Sequence, residues 1–274
     1  MYNDFYKFVE SPFNVTSDPA FFFLSSKHSE AFSHLVYGIK HRKGIILITG
    51  EIGTGKTTLC RTLLNYLDPK QTKTAFILNP NFSDIQLLQL ILHDLGLETN
   101  ARTRLELISV LNQFLLKESS AGNNVVVIID EAQNLKERQL EQIRLLSNLE
   151  TEKEKLLQIV LVGQPELIDK LRLNSLRQLN QRVSVRYHIL PLDHEEMLDY
   201  IEHRLKVAQR ENHKEKKVKF TKEALDAIYF HSRGTPRLIN ILCDRALLAG
   251  FIEESLKIDE HIIHKCMREV VSHT

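Results

Sequence analysis

Gly50-Glu51-Ile52-Gly53-Thr54-Gly55-Lys56-Thr57 follows the apolar run Ile45-Ile46-Leu47-Ile48 and precedes a helical pattern, Leu59 to Leu67. The run is short and β-branched enough for a buried parallel strand, so the order is strand, glycine loop, helix. Glycines so placed let successive backbone N–H groups turn inward around phosphate oxygens, and the helix N-terminus adds its partial positive charge there. In this pattern Lys56 reaches the β- and γ-phosphates and the Thr57 hydroxyl holds Mg²⁺. A turn that merely joined two elements would not call for the full pattern. Gly50 to Thr57, with Thr58 beside them, therefore read as a nucleotide site.

Composition frames what surrounds that loop. A chain of 274 residues can bury a sizeable core and suggests one large domain or two modest ones. With 43% hydrophobic and 26% charged residues the composition is ordinary globular, and a net charge of +1 offers no electrostatic argument for nucleic acid or membrane surfaces. No apolar run approaches the ~18 residues of a membrane span, and the N-terminus lacks the basic-then-apolar layout of a secretory signal. The expectation is a soluble, cytoplasmic chain. Cys60, Cys243 and Cys266 are odd in number and far apart, which fits buried apolar residues in a reducing compartment better than disulfides or a zinc pair.

Downstream of the loop, Thr74 to Leu78 reads as a second strand ending at Asn79-Pro80, followed by helices from Ser83 and from about Thr103 to Lys117. Alternating strands and helices of this length predict a parallel sheet covered on both faces. Val125-Val126-Val127-Ile128-Ile129 then ends in Asp130-Glu131, and in open α/β sheets the ligand sits beyond the carboxyl ends of the strands. Asp130 is placed to bind Mg²⁺ with Thr57, and Glu131 to orient or deprotonate an attacking water. That second carboxylate favours hydrolysis over a kinase or a passive binding module.

A fourth strand, Gln158 to Val162, leads to Gly163-Gln164-Pro165-Glu166-Leu167. Gln164 either bonds the attacking water or γ-phosphate, or serves turn chemistry before a helix beginning at Pro165. Val183 to Ile189 alternates strictly, as a half-buried edge strand does. Arg182, just before it, can project toward a neighbouring subunit's γ-phosphate; a solvated surface arginine is the competing account for it, and more so for Arg177.

Upstream, Phe5, Tyr6, Phe8, Phe13 and Phe21-Phe22-Phe23 are punctuated by Ser11-Pro12 and Asp18-Pro19, which predicts an extended, irregular arm docked through its aromatics. Val15 or Phe23 could touch a purine or simply pack. A helix follows from about Ser29, with Ala31, Leu35 and Ile39 on one face. From Pro191 the pattern turns all-helical, with helices at about His194 to Arg210, Lys222 to His231, Pro236 to Ala249 and Asp259 to Val271. This change predicts two domains, residues 1–190 and 191–274. The linker Glu211 to Lys219 mixes Lys214, Lys216, Lys217 and Lys219 with Glu211 and Glu215 and lacks aromatics, so it reads as a solvated loop rather than a nucleic-acid patch. In Gly234-Thr235-Pro236-Arg237, Thr235 and Pro236 suit a helix start, but Arg237 opposes the helix dipole. A bound triphosphate would repay that placement, and a local salt bridge is the alternative.

Together the P-loop, the strand ending Asp130-Glu131, Val162 to Leu167, Arg177 to Arg182 and Gly234 to Arg237 resemble an AAA+ ATPase. Ser11-Pro12-Phe13 through Asp18-Pro19 to Phe22-Phe23-Leu24-Ser25 and His28 more narrowly resemble the ExeA/GspA family of secretion-pathway ATPases. The resemblance covers almost the whole chain. It implies an α/β fold, a P-loop αβα core with a five-stranded parallel sheet, followed by a C-terminal all-helical lid, with ATP and Mg²⁺ between them. It further implies Gln164 as sensor 1, Arg237 as sensor 2 with Pro236 beside the nucleotide, Arg182 as arginine finger and Asn79 as the residue restraining Glu131. Ring or filament homo-oligomers are implied, with partners in envelope-associated secretion, pilus or exopolysaccharide machinery and a place peripheral to the inner membrane. Nothing after Val271 supplies the membrane span of the long members, which implies a short relative or the ATPase part of a longer protein. Related ATPases regulate DNA transposition, so an ATP-controlled DNA-bound filament is the alternative; the near-neutral charge weighs against it.

Overall fold

The structure, a computed structural model, describes residues 1–152, 154–209 and 218–271, for 268–271 the backbone alone. It divides into two compact units: His28–Ile52 with Leu59–Ile189, built on a sheet, and Met1–Lys27, Gly53–Thr58 and Leu190–Thr274, built on helices. In chain order, Tyr2–Tyr6 (α1) precedes Ser26–Lys40 (α2), then Ile45–Gly50 (β1), Lys56–Tyr66 (α3), Thr72–Ile77 (β2), Asp84–Asp94 (α4) and Arg104–Ser120 (α5). Asn124–Ile129 (β3), Glu137–Leu146 (α6), Gln158–Gly163 (β4), Glu166–Leu171 (α7), Arg177–Arg182 (α8) and Val183–Ile189 (β5) complete the sheet unit.

Its five strands run in the order β2-β3-β4-β1-β5, all parallel. Successive side chains alternate between faces. Ile45 and Leu47 of β1, Val125, Val127 and Ile129 of β3 and Ile159 and Leu161 of β4 join Leu87, Leu88 and Ile91 of α4 and Leu107, Leu111 and Leu115 of α5 in one core. Their neighbours Ile46, Ile48, Val126, Ile128, Val160 and Val162 are equally buried, as are Leu35 and Ile39 of α2 and Leu59 and Leu63 of α3. Cover on both faces is why these strands read as continuous apolar runs. β5, at the edge, buries only Val185 and Ile189 outright, which accounts for its alternation. Capping boxes start α4 at Ser83 with Gln86 and α5 at Thr103 with Glu106.

The helical unit contains His194–Ala208 (α9), Lys219–Phe220 (β6), Lys222–Ser232 (α10), Pro236–Ile252 (α11), Lys257–Ile258 (β7) and Glu260–Val271 (α12). β6 and β7 pair in parallel, a two-residue bridge too short for any periodicity to mark. Most of the basic linker from Glu211 lies outside the described residues, as do Arg210, Lys214, Glu215, Lys216 and Lys217. Tyr6, Phe8, Phe13 and Phe21 share one core with Met197, Ile201, Ile228, Ile239, Leu242 and Ile263. The sequence grouped this arm with residues up to 190; its aromatics pack within the helical unit. Nor is the arm wholly irregular, since it contains α1 and a 3₁₀ turn, Pro19–Phe21, capped by the Asp18 carboxylate on Ala20 N at 2.8 Å.

A buried guanidinium fastens the arm. Arg204 Nε donates to Pro12 O at 2.5 Å, Nη2 to Asn14 O at 3.0 Å and Nη1 to Tyr200 Oη at 2.9 Å, and the group lies 4.8 Å from the Phe21 ring centre. Tyr6 Oη donates to Leu247 O at 3.2 Å and Ser255 O at 3.1 Å, and Val9 N to Ala208 O at 2.8 Å. The capping box of α9, Asp193 with Glu196, also meets Lys27, whose Nζ lies 2.6 Å from Glu196 Oε2 and 3.2 Å from Asp193 Oδ2. All three cysteines are buried and none is in a disulfide; burial pushes the Cys243 thiol up. Among the described residues no helix is long and apolar enough to cross a membrane.

Candidate functional site

The parallel register brings the carboxyl ends of β1, β4 and β3 to one edge of the sheet, with Thr49 opposite Gly163 and Ile129 opposite Leu161. Glu51 and Ile52 follow β1 directly, and Gly53 and Gly55 take φ of +81° and +92° before α3 opens at Lys56. Left-handed residues alternating with ordinary ones form a concave run of backbone N–H groups, the geometry of an anion cradle. Thr54 and Lys56 are buried, at 0% and 5% exposed.

Within the helical unit, Gly53 meets the start of α11. Arg237 N donates to Gly53 O at 3.2 Å, and a Cβ on Gly53 would lie 2.6 Å from Arg237 Cβ and 3.3 Å from Thr235 Cγ2. Thr235 is the N-cap of α11 and Pro236 stands in its first turn. The loop and the Gly234-Thr235-Pro236-Arg237 segment, far apart in the sequence, are thus in backbone contact.

In the sheet unit, Asp130 is fully buried at the end of β3, its backbone N donating to Ile77 O at 2.9 Å. Burying a carboxylate is expensive unless partners or a cation compensate it. Glu131 N donates to Asp130 Oδ1 at 2.9 Å, and Glu131 adopts the left-handed conformation, φ 51° and ψ 37°. That backbone costs about 1–2 kcal/mol for a residue with a side chain, so local bonds must hold it. Gln133 Nε2 donates to Glu131 Oε2 at 2.5 Å and Gln164 Nε2 to the same oxygen at 3.2 Å, while Gln164 N donates to Gln133 Oε1 at 3.1 Å. Lys170 Nζ holds the turn from below, donating to Gln133 O at 2.5 Å and Leu135 O at 2.9 Å.

Gln164 and Glu131, singled out in the sequence, are therefore together. Asn79 lies beside this turn, where its Oδ1 accepts from Asn134 Nδ2 at 3.4 Å. Gln133 was missed, because a glutamine in a short turn carries no periodic signal. Gly163 was the available clue, a glycine at a strand end that stands for close approach. A Cβ there would fall 2.8 Å from Gln133 Oε1. Arg177 is exposed and Arg182 half-buried at the two ends of α8, and among the described residues neither hydrogen-bonds Glu131 or Gln164. Arg144 holds the Glu141 carboxyl below its ordinary range and Lys155 does so for Glu150, and Arg182 adds a smaller pull on both. Phe23 packs 6.0 Å from Tyr200 and 5.7 Å from His203, and Val15 is half exposed.

Taken unit by unit, the residues present suit a magnesium nucleotide: the loop offers Gly53 without room for a Cβ, a buried lysine and a threonine hydroxyl, and the sheet unit offers a buried aspartate, a hard oxygen ligand. Among the described residues no cluster of three or more His, Cys, Asp or Glu side chains stands ready to hold a metal by itself.

A parallel sheet in this strand order, a P-loop after β1, acids after β3 and a helical unit whose α11 starts at Pro236-Arg237 define a P-loop protein of the AAA+ class. Residues 39–171 match the family model described as AAA domain. Over 259 residues it is 45% identical to General secretion pathway protein A of Aeromonas hydrophila, an alignment that covers 94% of this chain and 46% of that protein. The chain thus spans about half the length of the curated relative it matches. Among solved structures, Cdc6p from Pyrobaculum aerophilum aligns with a TM-score of 0.69 at 17% identity, over 98% of this chain and 71% of that one. The Aeropyrum pernix ORC2 protein, in its ADPNP-ADP complexes, gives 0.63 at 16% identity over 88% and 66%, and the Thermotoga maritima RuvB Holliday junction branch migration motor 0.58 at 20% over 88% and 67%. At these identities the likeness shows the fold.

Proposed function

We propose that the chain is an ATPase of the AAA+ class, working in a nucleotide-dependent homo-oligomer that serves envelope-associated secretion machinery. The observation that carries the hydrolytic reading is the Glu131 carboxylate held at the end of β3 by the Gln164 amide from the end of β4. The secretion role rests on the 45% identity to General secretion pathway protein A.

In this reading the backbone of Gly50 to Gly55 and the Lys56 ammonium bind the phosphates, with Thr58 and Pro236 in contact with the nucleotide. Thr57 and Asp130 hold Mg²⁺, which when bound neutralises developing charge on the phosphate oxygens. Glu131 accepts a hydrogen bond from the attacking water and orients it in line. Gln164 donates to the γ-phosphate as sensor 1, Arg237 binds it from the helical lid as sensor 2, and Arg182 reaches the site of a neighbouring copy as arginine finger. The sheet unit acts as core and the helices after residue 190 as lid, and the protein works in the cytoplasm, beside the inner membrane through its partners.

The test is Glu131→Gln. The variant should bind a fluorescent ATP analogue as wild type does and lose about a hundredfold or more of Mg²⁺-dependent phosphate release. Undiminished turnover removes Glu131 from the mechanism.

A further inference from the structure

We propose that Gln133 is a positioning residue for the hydrolytic step, tying the Glu131 carboxylate to the backbone of Gln164 so that the acid stays aligned once the Gln164 side chain turns to the γ-phosphate. This deepens the ATPase reading above and rests on it.

The geometry is that of a two-ended link. A carboxamide carries a donor and an acceptor on one planar group. Gln133 uses both: its Nε2 faces Glu131 Oε2 at 2.5 Å, and its Oε1 accepts the Gln164 N–H at 3.1 Å. The partners fix the orientation of the amide, since the reversed group would set its oxygen against the carboxylate and its NH₂ against an N–H. Glu131 Oε2 has a second donor, Gln164 Nε2 at 3.2 Å, but that side chain is the one a γ-phosphate would claim. Gln133 keeps its hold when that happens, because its other end is on backbone.

Three features serve this one side chain. The 3₁₀ turn Ala132–Asn134 puts Gln133 two residues past Glu131, whose left-handed backbone begins the turn. Lys170 fixes the turn through the Gln133 and Leu135 carbonyls. Gly163 leaves the space, since any larger residue there would press a Cβ to 2.8 Å from Gln133 Oε1.

Gln133→Glu is the informative variant. It is nearly isosteric and still accepts the Gln164 N–H, but it has no hydrogen to give Glu131. We expect kcat for ATP hydrolysis to fall about tenfold or more while KM for ATP, and Kd for a non-hydrolysable analogue, stay within about threefold. Gln133→Ala, which removes both bonds, should lose at least as much, with the melting temperature of both variants close to wild type. Unchanged kcat in both variants, beside a wild type that turns over and a Glu131→Gln variant that does not, overturns the positioning role alone. Equal damage to KM and kcat marks a structural residue and also overturns it. A wild type that binds ATP without hydrolysing it overturns this inference together with the ATPase reading.

Discussion

Gly53 carries two constraints that a single methyl group would violate. Its φ of +81° is left-handed, and a Cβ would lie 2.6 Å from Arg237 Cβ, an atom fixed to the first turn of α11 rather than the end of a flexible chain. Gly53→Ala should therefore displace the loop and weaken ATP-analogue binding about tenfold or more, read by fluorescence titration with circular dichroism as the check on folding. Gly122 is the control: its φ is also +81°, but nothing lies within 4 Å of a Cβ there, so Gly122→Ala should cost about 1 kcal/mol of stability and leave binding alone. At this scale the sequence was legible wherever chemistry demands a fixed spacing, as in Gly50 to Thr57 and in Asp130-Glu131. Gln133 was not legible, because its role depends on a gap left by Gly163 on another strand. Arg237 was marked by a misfit with its own helix, and Gly53, whose carbonyl accepts its backbone N–H, lay far back in the chain.

Among the elements, helix starts were the most readable, since a cap acts within four residues. Ser83 with Gln86 and Thr103 with Glu106 are local pairs, and α4 and α5 begin where they stand. The start of α9 adds a tertiary partner to its cap. Burial alone would raise the Glu196 carboxyl, but Lys27, Ser26 and the Asp193 backbone outweigh it and bring it to about 2, from an ordinary 4.5. A carboxyl depressed on folding contributes stability that is present above about pH 4.5 and lost as pH falls toward 2. Glu196→Gln keeps an acceptor oxygen for the capping box and gives up the ion pair with Lys27. It should cost about 2 kcal/mol at pH 7 in urea unfolding, the gap to wild type closing as pH falls from about 4.5 toward 2; a gap independent of pH would separate the loss from this charge. Elements without a local signature stayed hidden: β6 and β7 are two residues each, and α1 is a single turn and a half stabilised by what its aromatics touch.

On the scale of the whole molecule, periodicity gave the parallel sheet and the change of character near Pro191, since each depends on patterns repeated along the chain. The destination of the arm is a different kind of fact. Aromatic residues between prolines announce packing without naming the surface, and only the fold shows Phe13 and Phe21 in one core with α9, α10 and α11. Arg204 is where that association can be tested. Arg204→Leu leaves the Pro12 and Asn14 carbonyls without their donor, and should cost about 2–4 kcal/mol while raising hydrogen exchange at the Val9 amide, which otherwise bonds Ala208 O. A protected Val9 in that variant would show that the guanidinium is not the fastening. The same arrangement sets an order of events during synthesis. The aromatic segment leaves the ribosome ahead of the sheet unit, yet the residues that bury it begin at Leu190, so the whole sheet unit is translated before the helical unit can close. For that interval Phe5, Phe8, Phe13 and Phe21 form a greasy stretch on a nascent chain, a natural client for a holding chaperone, waiting for partners that are made only after the sheet unit.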